Sequence, residues 1–310
     1  MSKSILSQPQ FHNEQAAYDF VESRIWPRGA VCPHCGGLER TKKLAGKSTR
    51  IGVYKCYDCR KPFTVKVGTI FEASHIPLRL WLQAIFLISS SKNGISSNQL
   101  HRTLGITLKS AWFMSHRIRE AMRDGSPNLL GGAGAIVEAD ETFMGAKRGA
   151  KVMGAGHHRN KVVFLVQRDG KTRSFHVANV DIHNLKPILM ANIAKDSHLM
   201  TDGAGFYRPI GKEFDNHEWT NHADKEYAKP SKVKGVSAHR NTVEAYFGIL
   251  KRGISGIYHH VSEEHLQRYV DEFDFRFSNR KALGVDNVKR AETLLKGVVG
   301  KRLTYQTTVQ

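Results

Sequence analysis

Apolar and polar positions alternate along this chain with rhythms that change from one stretch to the next. Between residues 11 and 26, Ala17, Phe20, Val21 and Ile25 recur at helical spacing and predict a short amphipathic helix, which Pro27 and Gly29 interrupt. Residues 30–71 are turn-rich and end in FTVKVGTIF, whose alternation predicts a strand. From Pro77 to about Met122 the helical period returns, broken twice, at KNGISS and at LGIT. The polar, glycine-rich run DGSPNLLGGAGA over 124–135 predicts the main domain boundary. Beyond it, AIVEADETFM, KVVFLVQ and TRSFHVANV read as three strands, the last two joined across RDGK as a hairpin. NLKPILMANIA reads as a helix with Pro187 in its first turn, and HLMTD as a short buried strand. The stretch 205–238 predicts a short helix, a short strand near His217–Asn221 and a basic loop through Lys229, Lys232 and Lys234. Helices resume at about 240–252 and 262–277. The expected organisation is an N-terminal helix and cysteine-bearing module over 1–75, a helical domain over 76–125 and an α/β domain over 135–300.

Charge narrows the function. Lysine and arginine number 47 against 28 acidic residues, a formal charge of +19. The simplest physical use of that excess is to replace counterions around a phosphate backbone, so double-stranded DNA is the expected partner. A membrane is not: no apolar run approaches the ~20 residues needed to span one, and the richest, Leu80–Ile88, contains Gln83. The opening MSKSILSQPQFHNEQ lacks the apolar core of a signal peptide. Four cysteines are too few for a disulfide scaffold in a chain this long, which points to a reducing, cytoplasmic compartment.

The cysteines carry chemistry of their own. Cys32-Pro-His-Cys35 and Cys56-Tyr-Asp-Cys59 are two C-x-x-C knuckles, each of which turns the chain so that two thiolates meet one tetrahedral zinc. Four thiolates close the coordination sphere, so this zinc is expected to be structural. It would let a turn-rich stretch fold around a small core. Downstream, the segment 81–122 has the layout of a helix-turn-helix. A helix runs from Leu78 to Ser90, and a shorter one is capped by Ser96 or Ser97. A turn at Gly105 leads to a final helix capped by Thr107. Lys109, Arg117 and Arg119 on that last helix are the candidate DNA contacts.

The acids form the third constellation. Glu138-Ala-Asp140-Glu141 closes the apolar strand AIV, and Asp202 closes HLMT before a glycine turn. A carboxylate at the end of each of two buried strands calls for a cation or for solvent, and neighbouring strands ending this way can hold two magnesium ions about 4 Å apart. Glu244 on the helix beginning near residue 240 offers a third acid. Lys251, two turns further on the same face, can meet a phosphate. Spacing leaves Glu138 and Glu141 as competitors for the role of Asp140, and Asp196 and Asp215 for that of Asp202.

VEADETFMG, the strand-to-TDG turn and HRNTVEAYFGILKRGISGIYHHVSEEHLQRYVDEFDFRFSNR resemble bacterial insertion-sequence transposases of the ISXO2-like group, which also begin with a zinc ribbon. The resemblance implies an RNase H-like fold and a DDE-type site with Asp140, Asp202 and Glu244 as ligands of Mg2+ (or Mn2+), accompanied by Lys251. Some members carry asparagine in the third position, so Asn241 stands beside Glu244 as a rival or co-ligand. It further implies cleavage at inverted-repeat ends and transfer to target DNA, at least a dimer on DNA, and a bacterial, nucleoid-associated protein. Lys232, Lys234, Lys251 and Arg252 are then expected along the phosphates. Three other readings remain open: a non-catalytic DNA-binding regulator, another RNase H-like nuclease such as a junction resolvase, and a transposase that still folds but no longer acts.

Overall fold

The computed structural model describes residues 4–146, 159–220, 228–233 and 236–304, so Lys234 of the basic loop lies outside the described residues. In chain order, α1 (Glu14–Ile25) leads into three short strands, β1 (Thr41–Lys43), β2 (Tyr54–Cys56) and β3 (Pro62–Phe63). Three helices follow: α2 (Leu78–Ser90), α3 (Ser97–Leu104) and α4 (Leu108–Met122). Then come β4 (Ile136–Ala146), β5 (Arg159–Gln167), β6 (Thr172–Val177), α5 (Ile182–Asn192), β7 (His198–Asp202), α6 (Tyr207–Gly211) and β8 (Asn216–Thr220). The hairpin strands β9 (Ala228–Pro230) and β10 (Ser237–His239) precede α7 (Asn241–Gly253), a π-helical turn (Ile254–Tyr258), α8 (Glu263–Ser278) and α9 (Asn287–Lys296).

The chain divides into two compact units, Met1–Met122 with Asp286–Gln310, and Arg123–Val285. The first contains the cysteine module and α1–α4 together, and the chain returns to it through α9, which packs on α1, α2 and α4. The second unit therefore ends at Val285 and not at residue 300. Asp286 caps α9 by accepting from the Lys289 N–H, while Leu294 and Leu295 go into the core. The other caps follow sequence logic: Asn13 for α1, Ser96 for α3 and the Thr107 hydroxyl for α4, with Gly105 in the left-handed region (φ 65) between the last two. Helix α2 starts after Pro77, which has no side chain to cap with. Glu14 of α1 accepts the Leu78 and Arg79 N–H groups instead. The strand predicted over FTVKVGTIF reaches only to Phe63, because a turn closes from the Val67 N–H to Thr64 O and Gly68 is left-handed (φ 73).

In the second unit a five-stranded sheet has the order β6-β5-β4-β7-β8. β4, β5 and β6 pair antiparallel as a meander; β7 pairs parallel with β4, and β8 parallel with β7. β5 is buried on both faces from Asn160 to Val166, as a strand inside a covered sheet must be. Val163 and Leu165 point into a cluster with Leu185, Leu189, Tyr207 and Ile210 of α5 and α6. Val162, Phe164 and Val166 point into a cluster with Val243, Tyr246, Leu250, Val270 and Phe273 of α7 and α8. The unit is thus three layers, helix–sheet–helix. Helix α5 begins earlier than its sequence suggests, because Asp181 caps it. Pro187 consequently falls inside the helix, where its ring removes one ladder hydrogen bond, and not in the first turn.

Candidate active site

The parallel pairing of β4 and β7 runs from Ile136↔His198 to Glu138↔Met200 and stops. Two residues further on each strand stand Asp140 and Asp202, level with each other, on the sheet face that α7 covers. Asp202 ends β7, but Asp140 lies mid-strand and does not close its strand as the sequence suggests, because β4 runs on to Ala146 against β5. Glu141 follows Asp140. Oxygens of Asp140, Glu141 and Asp202 all lie within 4.8 Å of one another. Each carboxylate is held. The Asp140 Oδ1 accepts the Glu141 N–H at 2.8 Å, and its Oδ2 accepts Arg240 Nη1 at 2.6 Å. The Asp202 Oδ1 accepts the Ala204 N–H at 3.0 Å across the TDG turn. The Glu141 Oε2 accepts the hydroxyl of fully buried Tyr207 at 2.7 Å.

Burial dominates the electrostatics. It pushes Asp140 up to about 7, against the pull of Arg240, with the Glu141 and Asp202 charges adding to the rise. It pushes Glu141 up to about 7 as well, opposed by the Tyr207 hydrogen bond. Three acids converging in a place that disfavours their charges suit a divalent cation, whose charge reverses that cost and whose oxygen-rich coordination they match.

Glu138 has a different task. It is fully buried and caps α7 from β4 beneath it, accepting the N–H groups of Thr242 (3.0 Å) and Val243 (2.9 Å) and the Thr242 hydroxyl (3.0 Å). Arg168 Nε donates to it at 2.6 Å. A negative charge at a helix N-terminus is stabilising, and here it draws the start of α7 onto β4. His239 Nδ1 accepts from Arg168 Nη2 and the Asn241 N–H, which leaves its proton on Nε2. Burial and the Arg168 charge lower its pKa.

The remaining predicted residues divide by exposure. Glu244 is half-buried in the first turn of α7, outside the three-carboxylate group, and Asn241 is exposed at the same helix start. Asp196 and Asp215 are both exposed and outside the group. Lys251 and Arg252 are exposed in the last turn of α7, with the Lys251 ammonium 5.8 Å from the Phe247 ring centre. Lys232 and Lys109 are exposed. Arg117 and Arg119, expected on DNA, are buried. Arg117 donates to the carbonyls of Ile70, Glu72 and Leu303, and Arg119 to the Ser115 hydroxyl. Their charges are spent on internal hydrogen bonds, which removes them from the set of phosphate contacts. Sequence reasoning gave Arg240 and Tyr207 no role. The adjacency of Arg240 to Asn241 was the only available signal for the first, and nothing pointed to the second.

In the first unit the four cysteines also form one group within 4.8 Å. The Cys32–Cys59 and Cys35–Cys56 sulfurs are 3.6 Å apart in each pair, near the ~3.8 Å that tetrahedral thiolates around zinc require. Each knuckle closes on a left-handed residue after its second cysteine, Gly36 (φ 76) and Arg60 (φ 62). The Cys56 thiol is lowered to about 7, first by the Cys59 backbone N–H, which favours the thiolate that zinc takes. Around the cysteines sits a small core of Phe63, Trp26 and Tyr54.

Residues 129–278 match the family model of the ISXO2-like transposase domain, and residues 12–62 that of the transposase zinc-ribbon domain. The chain belongs to the ISXO2-like transposase family. Over 289 residues this family member is 27% identical to "Uncharacterized protein in transposable element ISH50" of Halobacterium salinarum, covering 86% of the present chain and 91% of that protein. A DDE-type transposase domain implies an RNase H-like fold, and the matched region coincides with the mixed sheet and its carboxylates. The ribbon match covers Cys32, Cys35, Cys56 and Cys59, whose sulfur geometry suits structural zinc. Among the described residues, no helix of the transposase is long and apolar enough to cross a membrane.

Proposed function

We propose that this transposase cuts DNA at the inverted-repeat ends of its element and joins the new 3′ ends to target DNA, with the chemistry at Asp140 and Asp202. One observation carries the reading: the two aspartates stand level on adjacent parallel strands, two residues beyond the last β4–β7 pair, with carboxylate oxygens within 4.8 Å of each other. Magnesium or manganese held there would supply charge for the phosphate oxygens and lower the pKa of the attacking hydroxyl.

The chain's own residues do the positioning. Glu138 anchors the first turn of α7 two residues from Asp140, which supports Glu244 as a further ligand, with Asn241 one turn before it as co-ligand. Lys251, about two turns beyond Glu244, and Arg252 are exposed to meet backbone phosphates, and Lys232 is exposed to do the same. In the first unit, α3, the Gly105 turn and α4 form a helix-turn-helix in this reading, with exposed Lys109 as its phosphate contact. Two element ends must be brought together for joining, so the acting species is at least a dimer on DNA.

A duplex bearing the inverted repeats that flank the gene, incubated with the protein in Mg2+ or in EDTA, separates the readings on a sequencing gel. Nicks at the repeat boundary and joined products in Mg2+ alone are the expected result. Binding without nicks would make the protein a regulator, and nicks without joining would make it a nuclease of another kind.

A further inference from the structure

Strand alternation places Glu141 on the opposite face of β4 from Asp140, beside Val137 and Ala139, which pack toward α5 and α6. Its carboxylate nonetheless comes within 4.8 Å of those of Asp140 and Asp202. The end of the β4–β7 ladder makes this possible, because beyond Glu138↔Met200 no hydrogen bonds close the gap between the strands. Acids from both faces can therefore reach one point at the sheet opening.

We infer that Glu141 is a ligand of the cation held by Asp140 and Asp202, and that Tyr207 positions it. This rests on the function proposed above and adds a residue to that site. The partners of the three acids differ in kind. Asp140 has the Arg240 guanidinium and Asp202 has a backbone N–H. Among the described residues, Glu141 is met by a neutral phenol and by no basic side chain within ion-pair distance. A hydroxyl fixes the direction of a carboxylate without neutralising it, which is how ligating carboxylates are commonly oriented by their outer partners. Tyr207 is well placed for this: its ring is fully buried among Leu185, Leu189 and Ile210, so its hydroxyl has one fixed direction, and that direction is Glu141.

Titration of the full-length protein with Mn2+, read as loss of the free-ion paramagnetic resonance signal, tests this without reference to activity. Glu141→Gln should weaken Mn2+ binding by at least about tenfold, and Tyr207→Phe, which removes one oxygen and keeps the core volume, should weaken it within the roughly 10–100-fold range of such outer partners. Because Tyr207 acts through Glu141, the double variant should bind no more weakly than Glu141→Gln alone. Asp140→Asn is the reference for loss of the site. If Asp140→Asn loses the ion while both Glu141→Gln and Tyr207→Phe bind as the unsubstituted protein does, the inference is overturned and the proposed function stands. If Asp140→Asn also binds normally, it is the cation site of the proposed function that fails. An additive loss in the double variant would reduce Tyr207 to a packing residue and overturn its positioning role.

Discussion

Charged residues in this protein divide sharply between those that hold the fold and those that face outward. Arg117 satisfies three backbone carbonyls from a nearly buried position, so Arg117→Ala leaves those acceptors without their donor. Its expected effect is a loss of roughly 1–3 kcal/mol of stability in denaturant melts. Lys109→Ala, on an exposed site of the same helix, should leave the melt unchanged and weaken DNA binding in a titration. The reverse pattern would return Arg117 to the DNA surface. Glu138 makes a similar case. Glu138→Ala strips Arg168 of its carboxylate and α7 of its cap, at an expected cost of about 3–5 kcal/mol on urea unfolding. A loss below about 1 kcal/mol would show that the helix does not depend on this cap. The two aspartates proposed as the cation centre were legible as candidates in the sequence because each follows an apolar run, a place that buried strands normally keep free of charge. The roles of Glu138 and Arg117 were not. The partners of Glu138 lie 104 and 105 residues away, and those of Arg117 are carbonyls, which carry no sequence signal.

Among the elements, helix and strand periods foretold α1 to α8 and the strands of the central sheet, down to the Ser96, Gly105 and Thr107 punctuation of α3 and α4, but not β1, β2, α9 or the β9–β10 hairpin, which reads as a basic loop. The misses have local causes. The FTVKVGTIF strand yields to the Gly68 turn, and the capping of α5 by Asp181 puts Pro187 inside that helix. The zinc ribbon has strands of only two or three residues around a core of a few aromatic rings, too little apolar area to hold itself. Removing zinc with a chelator should therefore unfold it, seen as release of one zinc per chain to a colorimetric dye with loss of the Trp26 emission signal; an unchanged signal after metal loss would contradict this. In the second unit α7 and α8 meet β6 at a buried network, where Asp274 Oδ1 accepts the hydroxyls of Ser174 and Tyr246, both at 2.6 Å. Burial first, opposed by those hydrogen bonds, pushes Asp274 up to about 7. The folded chain thus keeps a proton that the unfolded chain has released. This contribution is fully present below the unfolded value near 4 and is lost as pH rises toward 7. Asp274→Asn should flatten the fall in melting temperature between about pH 4 and 7, each 1 kcal/mol of relief being worth roughly 2–4 °C in a domain of this size. Parallel melting curves for the two proteins would rule Asp274 out as the source.

For the molecule as a whole, the net charge of +19, the cysteine ribbon and the transposase domain each point to DNA, but only the middle of the sheet points to chemistry. The return of the chain to the first unit through α9 was not expected from the sequence, whose pattern predicts helices only to residue 277, and an amphipathic helix does not record what it packs against. The whole account depends on Asp140 and Asp202 serving as one cation-dependent centre, and strand joining by variants that keep their charge-neutral shape tests it most directly. Asp140→Asn and Asp202→Asn should each bind an end-bearing duplex as tightly as the unsubstituted protein. Each should also lower the Mg2+-dependent yield of joined product by at least about a thousandfold, the scale expected when a metal-centred step loses a ligand. Joining that persists in either variant would contradict the account.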